Sequence, residues 1–258
     1  MRSSTEPFRS PTPLIEARTT DCAACMIRHV CLFAGLDADE IEACTPSIRN
    51  GLFTANRVIY RAGEPATAAF TIRWGVVKVL RVSRAGGEHV VRLLGRGAAI
   101  GLEAFDGERY ENTAIATREG GLCVIPRSVL RGLGKRSAGF HHGLTSKWRE
   151  HAVQSEIWAS CLYEGSLEER LHGLIGRLCE VSGDPPEAVR LLRSEDLAGL
   201  LGVTRETLSR SLARLKRRGL MRQVGPWTYD CRLLLAETGP AVLQSAQPAV
   251  LSVLRRAS

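Results

Sequence analysis

The chain has 258 residues, 44% of them hydrophobic, with eight cysteines and a formal net charge of +8. That length suffices for two cored domains, and no apolar run approaches the roughly 18 residues that a membrane-spanning helix needs. The excess of positive charge favours a polyanionic partner and leaves its location on the chain as the informative question.

The first 18 residues carry charges and Pro7, Pro11 and Pro13 without an apolar stretch, so residues 1–18 read as a disordered leader and not as a secretory signal. The protein is therefore expected in the cytoplasm, with no membrane partner and with cysteines that are free, metal-bound or redox-active. Directly after the leader come Cys22, Cys25 and Cys31, spaced C-x2-C-x5-C. Three thiols so close in sequence can turn to one centre. An iron–sulfur cluster usually takes four cysteines, zinc takes four sulfur or nitrogen ligands, and a redox switch needs two, so the motif alone leaves all three open. His29, between Cys25 and Cys31, reads as a solvated or supporting group.

Gly35 to Ile41 reads as a loop entering a short helix with acidic residues in its first turn. From Leu52 to Pro126 short β-branched runs alternate with glycine turns, the pattern of an antiparallel β domain. Phe140 to Tyr163 then reads as one long helix, on which Leu144, Trp148, His151, Ser155, Trp158 and Leu162 follow the 4-3-4-3-4 spacing of a coiled-coil seam. This seam predicts a homodimer, the alternative being a helix packed back on its own β domain, with His151 and Ser155 as polar groups at its centre. Ser166-Leu167-Glu168-Glu169 is a capping box that opens a further helix, ended by Gly183-Asp184-Pro185-Pro186.

From Ser194 to Leu215 two short helices are predicted, the first capped by Ser194 and the second by Thr204, with Gly202 turning the chain between them. This is a helix-turn-helix. On its second helix Leu208, Leu212 and Leu215 form the buried stripe. Arg205, Glu206, Ser209 and Arg210 lie on the face that enters a major groove, so the expected partner is double-stranded DNA. Arg214 and Lys216 extend the positive field towards phosphates. Met221–Val224 and Trp227–Cys231 read as a wing hairpin around Gly225-Pro226.

Two stretches carry a family resemblance: Ile59-Tyr60-Arg61-Ala62-Gly63-Glu64-Pro65, and Leu200-Leu201-Gly202-Val203-Thr204-Arg205-Glu206-Thr207-Leu208-Ser209-Arg210. Together they resemble the CRP/FNR superfamily of bacterial transcription regulators. That resemblance implies an α+β protein: a cysteine segment plus β-roll sensor of the cyclic-nucleotide-binding, jelly-roll type over 19–136, a dimerisation helix over 137–164, and a winged helix-turn-helix with a C-terminal tail over 165–258. It also implies a dimer on a near-palindromic promoter site, acting as an activator with RNA polymerase as partner. Where cyclic-AMP-binding members hold the phosphate with an Arg-Ser pair, this chain has Tyr110-Glu111-Asn112-Thr113-Ala114, which argues against cyclic nucleotide sensing.

In the FNR-type branch, three N-terminal cysteines at this spacing and one late in the roll bind an oxygen-labile [4Fe-4S] cluster. The resemblance therefore implies Cys22, Cys25, Cys31 and Cys123 as metal ligands and low oxygen as the signal. Zinc, a metal-free thiol switch, or a zinc- or cyclic-nucleotide-binding module are the alternatives. Cys44, Cys161, Cys179 and Cys231 read as small buried residues. For the DNA site, Glu206, Ser209 and Arg210 are similar to the FNR-type reading set, which implies a TTGAT…ATCAA-like site, while Arg205 is closer to the cyclic-AMP-receptor type, whose half-site begins TGTGA. No nucleophile elbow, phosphate loop or H-E-x-x-H motif is present, so no enzyme is expected.

Overall fold

The computed structural model describes the backbone of residues 15–19, 22–82 and 88–237, with side chains for these except 15–19, 88, 157 and 159–163. The expected leader up to residue 14, the Gly86-Gly87 turn and the tail beyond 237 lie outside the described residues. Ile15–Thr19 form strand β1 and pair with Arg49–Phe53, strand β2. The last residues of the expected leader are thus strand and not disordered chain.

Helix α1 (Ala38–Cys44) follows the cysteine loop and opens with a capping box, in which Asp37 accepts from the Glu40 amide and Glu40 from the Asp37 amide. Next come β3 (Val58–Tyr60), β4 (Ala68–Trp74), β5 (Val77–Val82), β6 (Glu88–Leu94), β7 (Ala99–Ile100), α2 (Glu103–Asp106), β8 (Thr113–Ala116), β9 (Gly120–Pro126) and α3 (Arg127–Gly134). The reading half holds the long helix α4 (Ala138–Tyr163), α5 (Leu167–Ser182), β10 (Val189–Arg190), α6 (Ser194–Leu201), α7 (Arg205–Arg217), β11 (Arg222–Gly225), β12 (Thr228–Asp230) and α8 (Arg232–Glu237).

Two compact units result, residues 1–77 with 97–143, and residues 78–96 with 144–258. In the first, an antiparallel sheet runs β1-β2-β9-β4-β7, and β3 pairs with β8. Beside this sheet the chain from Ile27 to Ile48 buries Ile27, Leu32, Phe33, Leu36, Ile41 and Ile48. Each such side chain contributes roughly 1.5–3 kcal/mol to packing this segment beside the sheet.

The second unit contains the helix-turn-helix α6–α7 and the three-stranded wing β10-β12-β11. Gly202 is left-handed (φ 63°) and Thr204 caps α7 by accepting from the Thr207 amide, both as predicted. Ser194 does not cap α6: it is the first helical residue, and the capping position falls to Arg193 without a side-chain bond. The buried stripe of α7 is Leu208, Ser211 and Leu215, with Leu212 only half-buried.

The hairpin of β5 and β6 clusters with residues 144–258. A Cβ on Gly95 would stand 1.8 Å from the Val181 carbonyl oxygen, so the end of β6 rests backbone to backbone on α5. Lys78 is 6% exposed and its ammonium pairs with Asp196 of α6. Removing one partner from a buried ion pair strands the other charge, so Asp196→Ala should lower stability by about 3–5 kcal/mol, while Lys78→Met combined with Asp196→Leu should lose much less. Urea unfolding of the three proteins measures this.

Candidate metal centre and nucleic-acid interface

Cys123 sits in the middle of β9, opposite Asn50 on β2 and Thr71 on β4. Strand alternation sends Cys123 and Ile125 to the same face, beneath the cysteine loop. There Cys22, Cys25, Cys31 and Cys123 line one cavity, together with Arg28 and a wall that includes Ile27, Phe33, Ile41 and Ile48. The sequence-predicted ligand set is thus brought together from two distant segments.

The loop that carries three of these thiols is held by its own turns. The Arg28 amide donates to the Cys25 carbonyl (3.0 Å), the Ala34 amide to the Cys31 carbonyl (3.1 Å), and the Arg28 guanidinium to the Leu36 carbonyl (3.0 Å). The Cys31 sulfur accepts from the Phe33 amide (3.4 Å), and the Cys123 thiol donates to Asn50 Oδ1 (3.3 Å). Burial pushes the Cys123 thiol up to about 12; the Arg73 cation opposes this, while negative charge on Cys25, Cys22 and Cys31 adds to it. Cys44 is likewise pushed up to about 11, by burial first and by Cys22 second. Among the described residues, no three His, Cys, Asp or Glu side chains are arranged to hold a single metal ion. Arg28, Arg73 and Asn50 escaped the sequence reading. Only Arg28 left a signal there, as a cation inside the C-x2-C-x5-C segment.

At the glycine-acidic turn, Gly63 is left-handed (φ 83°), and the Arg61 amide donates to Glu64 Oε2 (3.0 Å). The Ala62 amide donates to Thr113 Oγ1 (3.0 Å) and Arg109 to the Gly63 carbonyl (2.6 Å). Tyr60 stacks on both Tyr110 and Phe70, at centroid distances of 4.0 and 5.8 Å. The backbone amides from Arg61 to Glu64 are committed to the chain's own oxygens.

On α7, Arg205, Glu206, Ser209 and Arg210 are all exposed. Arg205 pairs with Glu195 of α6 (3.0 Å), and Arg210 folds back to the Glu206 carbonyl (3.4 Å). Hydrogen bonding from its own amide and from Thr204 holds the Glu206 carboxyl below the usual range, so at neutral pH it is an acceptor. Arg214 and Arg218 share Glu168 at the start of α5, at 3.0 and 2.7 Å. Lys216 stands over the Tyr229 ring (4.7 Å), turned to the wing.

The expected dimer seam is out of phase. Leu144 and Trp158 are each 2% exposed within a single chain, so both belong to the protomer's own core. Trp148, at 42% exposure, shares an open face with Ala152 and Ser155, whose hydroxyl donates to the His151 carbonyl (2.9 Å). His151 is half-buried, and the Leu162 side chain lies outside the described residues.

Fold and site together define a DNA-binding regulator with an N-terminal antiparallel β domain. Residues 52–137 match the cyclic nucleotide-binding domain family and residues 169–234 the Crp-like helix-turn-helix domain family. Among similar proteins, an "Anaerobic regulatory protein" of Pasteurella multocida is 25% identical over 80% of this chain and 77% of its own. A "Cyclic AMP receptor protein" of Thermus thermophilus is 26% identical over 78% of this chain and 92% of its own. The crystal structure of a CRP-family transcriptional regulator, also from Thermus thermophilus, shares the fold, with a TM-score of 0.63 at 22% identity over 77% of this chain and 97% of that one. The chain belongs to the CRP/FNR superfamily of transcription regulators. No helix among the described residues is long and apolar enough to cross a membrane.

The two tryptophans of α4 separate core from surface. Trp158→Ala should cost about 3–5 kcal/mol of stability in urea unfolding, whereas Trp148→Ala should leave the unfolding midpoint within the range of a surface change.

Proposed function

We propose that this regulator senses oxygen through a [4Fe-4S] cluster held by Cys22, Cys25, Cys31 and Cys123, and that the held state favours a DNA-binding dimer. The observation that carries the reading is the convergence of these four thiols, from a loop and from the sheet beneath it, on one cavity. The donor set fits that group. Four thiolates are a soft, all-sulfur environment, and Arg28 beside the cavity with Arg73 acting on Cys123 offset the negative charge that thiolate ligation brings. The name of the Pasteurella relative, an anaerobic regulator, agrees with low oxygen as the signal.

A cluster held by Cys22, Cys25, Cys31 and Cys123 would supply reactivity towards oxygen. The chain's own residues do the rest. Apolar neighbours Ile27, Phe33, Ile41 and Ile48 limit water at the sulfurs, and the Phe33 amide supports Cys31. The open face of Trp148, Ala152 and Ser155 is the surface on which two long helices meet. With one aromatic anchor among small and polar groups, it supports a weak dimer that a few kcal/mol of loop ordering can shift.

The cyclic-nucleotide alternative keeps two points in its favour, the match of residues 52–137 to the cyclic nucleotide-binding domain family and the likeness to a cyclic AMP receptor protein at 26% identity. Against it stand the self-paired donors of the Gly63 turn and Glu111 in the stretch where a phosphate would need a cation. The expected activation through RNA polymerase, and a cytoplasmic location, are proposed on the same footing as the sensor role.

Anaerobic loading followed by sedimentation tests the sensor role. Wild type should bind iron and dimerise, and lose both on exposure to air; Cys25→Ser and Cys123→Ser should do neither. Dimer formation indifferent to iron and to both substitutions would overturn the proposal. For DNA reading, selection from a random pool should give a palindrome. Arg205→Val should change preference at one base pair by roughly 1–3 kcal/mol without weakening all sites equally.

A further inference from the structure

We infer that Gly35, Gly139 and Gly143 are positioning residues that seat the cysteine loop directly on the long helix, so that order in one imposes order in the other. The inference rests on the metal-centre reading above and concerns how that centre is read out. α4 opens with Gly139-Phe140-His141-His142-Gly143, which places its two glycines one turn apart on one face. A Cβ on Gly139 would stand 2.0 Å from the Gly35 carbonyl oxygen, and one on Gly143 2.6 Å from the Leu32 carbonyl oxygen. From the other side, a Cβ on Gly35 would stand 2.7 Å from the Gly139 carbonyl oxygen. All three distances are shorter than real Cβ contacts, and the atoms met are backbone, which cannot swing aside as a side chain can.

None of these glycines has a positive φ, so local conformation does not call for glycine at any of them. Glycine also disfavours a helix relative to alanine. The requirement is therefore the approach itself. On the loop side the two carbonyls involved follow Cys31 by one and four residues, inside the turns closed by Ala34 to Cys31 and by Arg28 to Leu36. This lever is short, and a rearrangement at Cys31 displaces the Leu32 and Gly35 carbonyls with it. On the helix side, Phe140 between the two glycines is fully buried and packs on Phe105 at 5.7 Å, which fixes the rotation of the first turn. From there α4 runs unbroken to Tyr163 and carries Trp148, Ala152 and Ser155.

The test compares full-length wild type, Gly139→Ala, Gly143→Ala and, as control, Gly132→Ala of α3, which has open space around it. Each is loaded anaerobically with ferrous iron and sulfide, then measured for iron per chain, dimer fraction by sedimentation, and amide hydrogen exchange over 32–36 and 139–148. In wild type and the control, iron should slow exchange in both segments together. Gly139→Ala and Gly143→Ala should take up the same iron but keep fast exchange over 139–148, with dimer association weaker by about ten-fold or more. Alanine variants that load iron and dimerise as wild type does would overturn the inference and leave the metal centre standing. A wild type that takes up no iron would overturn both. Should an alanine variant fail to fold, wild type decides alone: joint protection of the two segments supports the seating, and protection of 32–36 without 139–148 refutes it.

Discussion

The structure depends on the seating of one irregular loop. Residues 22–36 have almost no regular structure, yet Ile27, Leu32, Phe33 and Leu36 bury completely enough to hold the loop beside the sheet. Cys123 is fixed independently, by ladder pairs to Asn50 and Thr71 on either side. A rigid strand supplies one sulfur and an apolar-anchored loop supplies three.

On the proposed reading, ordering energy at the loop acts at a distance. The loop's next contact is with the first turns of α4, and a helix transmits a change in its start along its length. At the other end of the functional path, α7 meets its surroundings through charge. Glu168 gathers Arg214 and Arg218, and Glu195 takes Arg205. The positive face of the reading helix is thus set by carboxylates of α5 and α6, and the side chains that approach DNA are partly positioned before DNA arrives. Exposed pairs of this kind are individually weak, so they orient the arginines without withholding them.

Much of this was readable in the residues themselves. Gly202, Thr204 and the Ser166–Glu169 box identified their helix boundaries because each solves a local hydrogen-bonding or backbone problem. The convergence of Cys123 with the N-terminal thiols was not readable from spacing, since it is a tertiary fact; only the family resemblance pointed to it. The dimer seam failed for a specific reason. Periodicity alone cannot tell which face of α4 packs on its own chain, and Leu144 and Trp158 lie on that face. β2 (RNGLF) and β8 (TAIA) lack the β-branched runs that mark strands and owe their form to their neighbours. Lys78 and Asp196, far apart in sequence, left no local trace at all.

The most direct test of the central claim is chemical. Protein purified without exposure to oxygen should contain iron and acid-labile sulfide at about four of each per chain, as expected for one [4Fe-4S] cluster on four cysteine thiolates. A chain so purified that carries zinc at about one per chain, or neither metal nor sulfide, would contradict the account.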